Sequence, residues 1–152
     1  MISVLDQVRS EVDSCLSKKD KFSSIYERIK GYLSLLTEED FTSLVDYYNN
    51  FVQLTSVFFS FIAIKYLNTK SIDYFKNYII HISKKSSFFF LSSAAIYSVI
   101  NGGLKPLPAF YKKFLRFHCL TFKETSITVN HYKFLDIVKL THPKVCDESQ
   151  AA

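Results

Sequence analysis

Residues 51–67 read FVQLTSVFFSFIAIKYL, and this stretch decides the fold. From Phe51 to Leu67 apolar side chains fall nearly all round a helix of 3.6-residue period instead of along one stripe. A helix of that kind needs cover on several sides, so the stretch predicts the central helix of an all-α domain. A second apolar segment, Phe88–Ile100, has the same character. Neither it nor the apolar heart of the first, Val57–Ile64, has the ~20 apolar residues that a bilayer span requires. Lys65 closes the one, and Lys84 and Lys85 precede the other. Both are therefore expected in a protein core and not in a membrane.

Working outward, the flanking segments carry helical periodicity and helix punctuation. Val4, Leu5, Val8, Val12, Cys15 and Leu16 define one amphipathic stripe. Phe22, Ile25, Ile29, Tyr32, Leu33 and Leu36 define a second, interrupted by Gly31. Thr37-Glu38-Glu39-Asp40 has the form of a capping box, with a hydroxyl for the first amides and acids in the first turn. It leads into Phe41, Leu44, Val45 and Tyr48. Beyond the central segment, Ser71 is placed to cap a helix with Ile72, Phe75, Ile79, Ile80 and Ile82, and Ser86 or Ser87 to cap Phe88–Ile100. Asn101-Gly102-Gly103 ends that helix, Pro108 suits the first turn of a helix Ala109–His118, and a last helix His131–Thr141 stops before Pro143. With 3 glycines and 3 prolines in 152 residues, strand-and-turn architectures are poorly served. The reading is a HEAT-like array of about seven or eight helices joined by short connections. It forms a single α-helical domain over residues 1–145, with 146–152 as a disordered tail. No strict sequence repeat accompanies it.

Charge divides this domain. Residues 1–64 hold six Lys/Arg against nine Asp/Glu and are mildly acidic at −3. Residues 65–144 hold thirteen against three (Asp73, Glu124, Asp136) and reach +10, with all four histidines among them. A positive field concentrated in half of a small domain attracts polyanions. The abundant Phe and Tyr carry less meaning, since AT-rich coding favours them.

Catalytic constellations are missing. Three acids scattered through the basic half make a carboxylate-pair mechanism implausible. Gly102-Gly103 lacks the context of a phosphate loop. His118 and Cys119 are adjacent, so on a helix they diverge by about 100° and cannot jointly hold zinc. No enzyme, no metal site and no cofactor are expected. Cys15, Cys119 and Cys146 are odd in number and widely spaced, which reads as reduced thiols in a cytoplasmic setting. The N-terminal residues, with early acids and no apolar run, do not read as a targeting segment.

The basic residues carry the functional expectation. Lys112 and Arg116 are four apart and share a helical face, with Lys113 beside it. Lys105 precedes them, Lys84 and Lys85 occupy an earlier inter-helix connection, and Lys133, Lys139 and Lys144 follow. Gathered along one edge of a helical stack they would form a groove for phosphates, with Tyr111, Tyr132 or His142 available to stack on a base. Single-stranded or small structured RNA, bound with low sequence specificity, is the expected partner.

The C-terminal third adds a resemblance. GGLKPLPAFYKKFL over residues 102–115 is followed by YKFLDIVKLTHPK over residues 132–144. A Gly-containing turn and a proline before a basic helix, then Asp-Ile-Val-Lys-Leu-Thr-His-Pro-Lys at 136–144, resemble the TROVE module of the Ro autoantigen and the telomerase- and vault-associated proteins. That resemblance implies a HEAT-repeat α-helical fold which in full-length relatives closes into a ring and binds small or misfolded RNAs. It implies that Lys112, Lys113, Arg116, Lys139, His142 and Lys144 lie near RNA. Phe134 stands where the family carries a histidine, and a chain of this length covers only the earlier part of such a module. An alternative reading is a scaffolding or adaptor subunit of a ribonucleoprotein, self-assembling through acidic and basic halves. A membrane-surface role, with Lys84 and Lys85 flanking Phe88–Phe90, comes third.

Overall fold

The first helix, α1 (Val4–Ser17), begins at Ser3, whose hydroxyl accepts a hydrogen bond from the Asp6 amide at 3.1 Å. The computed structural model describes residues 2–67, 72–85, 88–103, 107–109, 112–113, 115–116 and 129–151. After α1 come α2 (Phe22–Ile29), a 3-10 segment (Lys30–Leu35), α3 (Glu38–Asn49), α4 (Gln53–Tyr66) and α5 (Asp73–Lys85). They are followed by α6 (Phe88–Asn101), α7 (Val129–Thr141) and α8 (Pro143–Ala151). The fold is all-α, with no strand among the described residues. Between α6 and α7, Ala109, Lys112, Lys113, Leu115 and Arg116 have helical backbone, and the Lys112 amide donates to the Pro108 carbonyl at 3.2 Å.

The central position expected of residues 51–67 belongs to α4. Every residue from Thr55 to Ala63 is buried, Phe58, Phe59 and Phe61 completely so. α4 packs against α3, α5, α6 and α7, which explains why it lacks a polar face. Two of its three buried hydroxyls are satisfied locally, with Ser56 Oγ donating to the Val45 carbonyl of α3 and Ser60 Oγ to the Ser56 carbonyl, while Thr55 Oγ1 has no partner. α7 contacts α2 as well as α4 and α6, so the last helices wrap back onto the first. Phe134, Leu135, Ile137 and Val138 of α7 are all buried. No helix of the described residues is long and apolar enough to cross a membrane.

Local signals explain most boundaries. The capping box is complete: the Asp40 amide donates to Thr37 Oγ1 at 3.1 Å, and the Thr37 amide donates to Asp40 Oδ2 at 3.0 Å. Thr37→Ala removes one of these bonds and is expected to cost about 1 kcal/mol. Urea unfolding would show this as a lower midpoint with an unchanged slope. At the end of α6, Gly102 has φ +78° and the Gly103 amide donates to the Ser98 carbonyl at 2.9 Å. That six-residue closure is a Schellman motif, and only glycine adopts the left-handed position without strain.

Three expectations change. The helix expected over Phe22–Leu36 turns 3-10 after Ile29, in a segment that contains Gly31, a residue poorly suited to a helix interior. Leu33 and Leu36 stay buried through the tighter winding while Leu35 is exposed. The chain from Pro143 to Ala151 is helical where a disordered tail was expected from 146, because Pro143 starts a new helix and Val145 and Cys146 enter the core. Cys146 is disulfide-bonded and Cys15 is a buried free thiol, which corrects the expectation of three reduced cysteines. Cys119 lies outside the described residues, as do the expected caps Ser71, Ser86 and Ser87. Disulfides persist in oxidising compartments and are rare in the cytosol, so the cysteines no longer support a cytoplasmic setting.

Candidate nucleic-acid interface

Several of the described basic residues gather at three places. The first is the helical turn after Pro108. Leu115 is buried and fixes this turn against the core, so the positions around it that do not face inward are presented to solvent. Lys113 and Arg116 are exposed and Lys112 is half-buried. With Ala109 they line a shallow depression of about 220 Å³. The expected shared face of Lys112 and Arg116 is therefore present, and a small residue at its foot leaves room between the long side chains.

The second place is a cleft of about 340 Å³ where the ends of α4, α6 and α7 meet the start of α8. Lys65 comes from the last turn of α4, Ser98 and Val99 from α6, His142 from the α7–α8 junction, and Lys144 and Val145 from α8. Lys65 and Lys144 are exposed at its rim, whereas Ser98 is fully buried. His142 is half-buried, its ring edge-on to Phe61 with centroids 6.0 Å apart and its Nδ1 2.9 Å from Thr141 Oγ1. Burial, then the positive charge of Lys65, push the imidazole down to about 4. His142 is thus a neutral ring around pH 7 and offers no cation to a phosphate.

The third place is a depression of about 360 Å³ in which Lys133 of α7 meets Lys19 and Lys21 of the α1–α2 connection. Asp20 and Asp136 lie among them, so the charge there is mixed. Burial raises the Asp136 carboxyl from its ordinary value, while Lys139 and Lys21 oppose that rise. Lys139 is half-buried, and desolvation lowers its ammonium against the pull of Asp136.

Of the remaining expected contacts, Lys84 is exposed near the end of α5. Lys85 closes that helix, but its side chain lies outside the described residues, and Lys105 and Tyr111 lie outside them altogether. Sequence reasoning missed Lys65, Lys19, Lys21 and Ser98. Lys65 reads in sequence as the residue that closes an apolar run. Only the packing of α4 against α6 and α7 brings it to Lys144. Among the described residues no group of three His, Cys, Asp or Glu side chains is placed to hold a metal ion. The chain matches no family model, no curated protein and no solved structure.

Proposed function

We propose that this chain is a non-catalytic RNA-binding protein whose exposed basic turn, Lys112, Lys113 and Arg116, engages the phosphate backbone with little sequence preference. The observation that carries this reading is the depression after Pro108. Its described lining consists of those three cations and Ala109, with no acid among them. Two lysines and an arginine around a concave surface suit successive phosphates, the arginine offering a bidentate fork and the lysines point charges. The +10 balance of residues 65–144 supplies the long-range attraction. Within this proposal the helices are paired in the HEAT manner and correspond to part of a TROVE-like module, with Lys144 and Lys133 as secondary contacts.

The triple variant Lys112→Ala, Lys113→Ala, Arg116→Ala tests the reading. Each phosphate contact to a single strand contributes roughly 0.7 to the slope of log affinity against log salt. Three lost contacts should flatten that slope by about 2 and weaken binding at low salt by tenfold or more. Helicity by circular dichroism should be unchanged, since no buried side chain is altered. An unchanged salt slope in a folded variant would place the contacts elsewhere.

A scaffolding role is the second reading. It is favoured by the depression of about 590 Å³ at the start of α3, lined by Glu38, Glu39 and Asp46 with Thr37, Thr42 and Ser43. An acidic concavity in one half and a basic one in the other suit head-to-tail association of copies. Light scattering without nucleic acid separates the readings: concentration-dependent oligomers with no RNA affinity support the scaffold.

A further inference from the structure

The cleft between α4, α6, α7 and α8 has the composition of a ligand site more than that of a surface groove. At about 340 Å³ it falls at the small end of the size range of small-molecule pockets. One wall is apolar, with Val99 and Val145, and a few polar groups converge on it. Two of these, Lys65 and Lys144, come from helices distant in sequence, and no acid lines the cleft among the described residues. α8 begins at its edge with Pro143, so the positive end of that helix faces the same space.

Helix C-termini also border the cleft and would repel an anion if their carbonyls were bare. Several are already occupied. The Ser98 carbonyl accepts from the Gly103 amide, the Val138 carbonyl from the His142 amide at 2.7 Å, and the Ile137 carbonyl from Thr141 Oγ1 at 2.8 Å. What remains unmatched is a donor. Ser98 Oγ is buried, has no hydrogen-bond partner, and belongs to a residue lining the cleft. A buried polar group left unpaired costs free energy, and of the three such groups among the described residues, Arg9 Nε, Thr55 Oγ1 and Ser98 Oγ, only Ser98 belongs to a residue lining this cleft.

We propose that this cleft binds a phosphomonoester, its dianion held between Lys65 and Lys144, with the buried Ser98 side chain rotating on binding so that Oγ donates to a phosphate oxygen. The rest of the ligand lies against Val99 and Val145. The neutral His142 ring, backed by Phe61, forms the adjoining wall and can donate or accept one further hydrogen bond. The phosphate can come from a free small molecule or from the phosphorylated end of an RNA. The site is independent of the basic turn at Lys112–Arg116 and stands or falls separately from it.

Adenosine 5′-monophosphate, with adenosine as its phosphate-free control, is the direct probe. Both are titrated into the full chain while the His142 ring protons and the Gly102 and Gly103 amides are followed by NMR. Saturable shifts with the monophosphate and none with adenosine are expected. Lys65→Ala with Lys144→Ala should weaken binding at least tenfold, and so should Ser98→Ala alone. The Ser98 variant removes an unpaired hydroxyl, so its melting temperature should hold or rise, which keeps the result interpretable. A short RNA bearing a 5′-phosphate is then compared with the same RNA bearing a 5′-hydroxyl. Binding of the phosphorylated RNA with no response to the free nucleotide assigns the phosphate to an RNA end. The proposal is overturned if neither phosphorylated probe shifts these resonances, if adenosine binds as well as its monophosphate, or if the variants bind unchanged.

Discussion

Phe61→Ala is expected to destabilise the domain by about 3–5 kcal/mol, a large part of the total stability of a protein this size. Phe61 is completely buried in α4, and its ring meets Phe134 of α7 edge-on at 5.6 Å between centroids, with His142 on another side. These contacts tie the central helix to an element that follows it by some seventy residues in sequence. Truncation therefore leaves a cavity at the point where α7 returns to the core. Partial collapse around it cannot recover the lost contacts, because α4 is held on its other sides by α3, α5 and α6. Unfolding by urea should show a lower midpoint, and the truncated protein should lose cooperativity at the α7–α8 end first. Phe22 of α2 meets Phe58, and Phe58 meets Phe59, in a separate set of ring contacts.

Acid should destabilise the protein through His142 as pH falls from 6.5 toward 4. The imidazole has an ordinary value of 6.5 and is pushed down to about 4 in the fold by burial and by Lys65. Its native-state affinity for a proton is thus lower than its unfolded-state affinity, so the unfolded chain binds the extra proton as pH falls. The contribution to stability is fully present above 6.5, declines below it, and is gone near 4. At about 1.36 kcal/mol per pH unit the loss approaches roughly 3 kcal/mol as an upper bound, because the ring is only partly shielded from solvent. His142→Gln isolates the effect. Between pH 7 and about pH 4 the wild-type protein should lose more stability than the variant, by up to that amount. Parallel losses in both would mean that the ring titrates normally.

The sequence is most informative where one element specifies its own surroundings. The all-round apolar pattern of residues 51–67 anticipates a helix covered by four others. Thr37 and Asp40 announce their reciprocal bonds, and Gly102-Gly103 announces the closure onto Ser98. The shared face of Lys112 and Arg116 follows from spacing alone. What periodicity does not encode is which helix ends meet. Lys65 and Lys144 are 79 positions apart, and Lys19 and Lys21 sit in the acidic half although they face Lys133. Among the described residues several of the cations line three depressions, and Lys139 is half-buried. The helix from Pro143 escaped notice because its polar sequence shows only Val145 and Cys146 to the core, too little apolar signal to mark an amphipathic element. The bond at Cys146 could not be read from three unevenly spaced cysteines.

The proposed RNA binding through exposed cations has an electrostatic signature. Affinity for a single-stranded and for a structured RNA, measured by filter binding on nuclease-treated protein at about 50 and about 200 mM salt, tests it most directly. Binding to both RNAs is expected at the lower salt, with affinity falling steeply at the higher and depending little on the sequence chosen. Absent binding at low salt, or affinity that does not change between the two conditions, would contradict it.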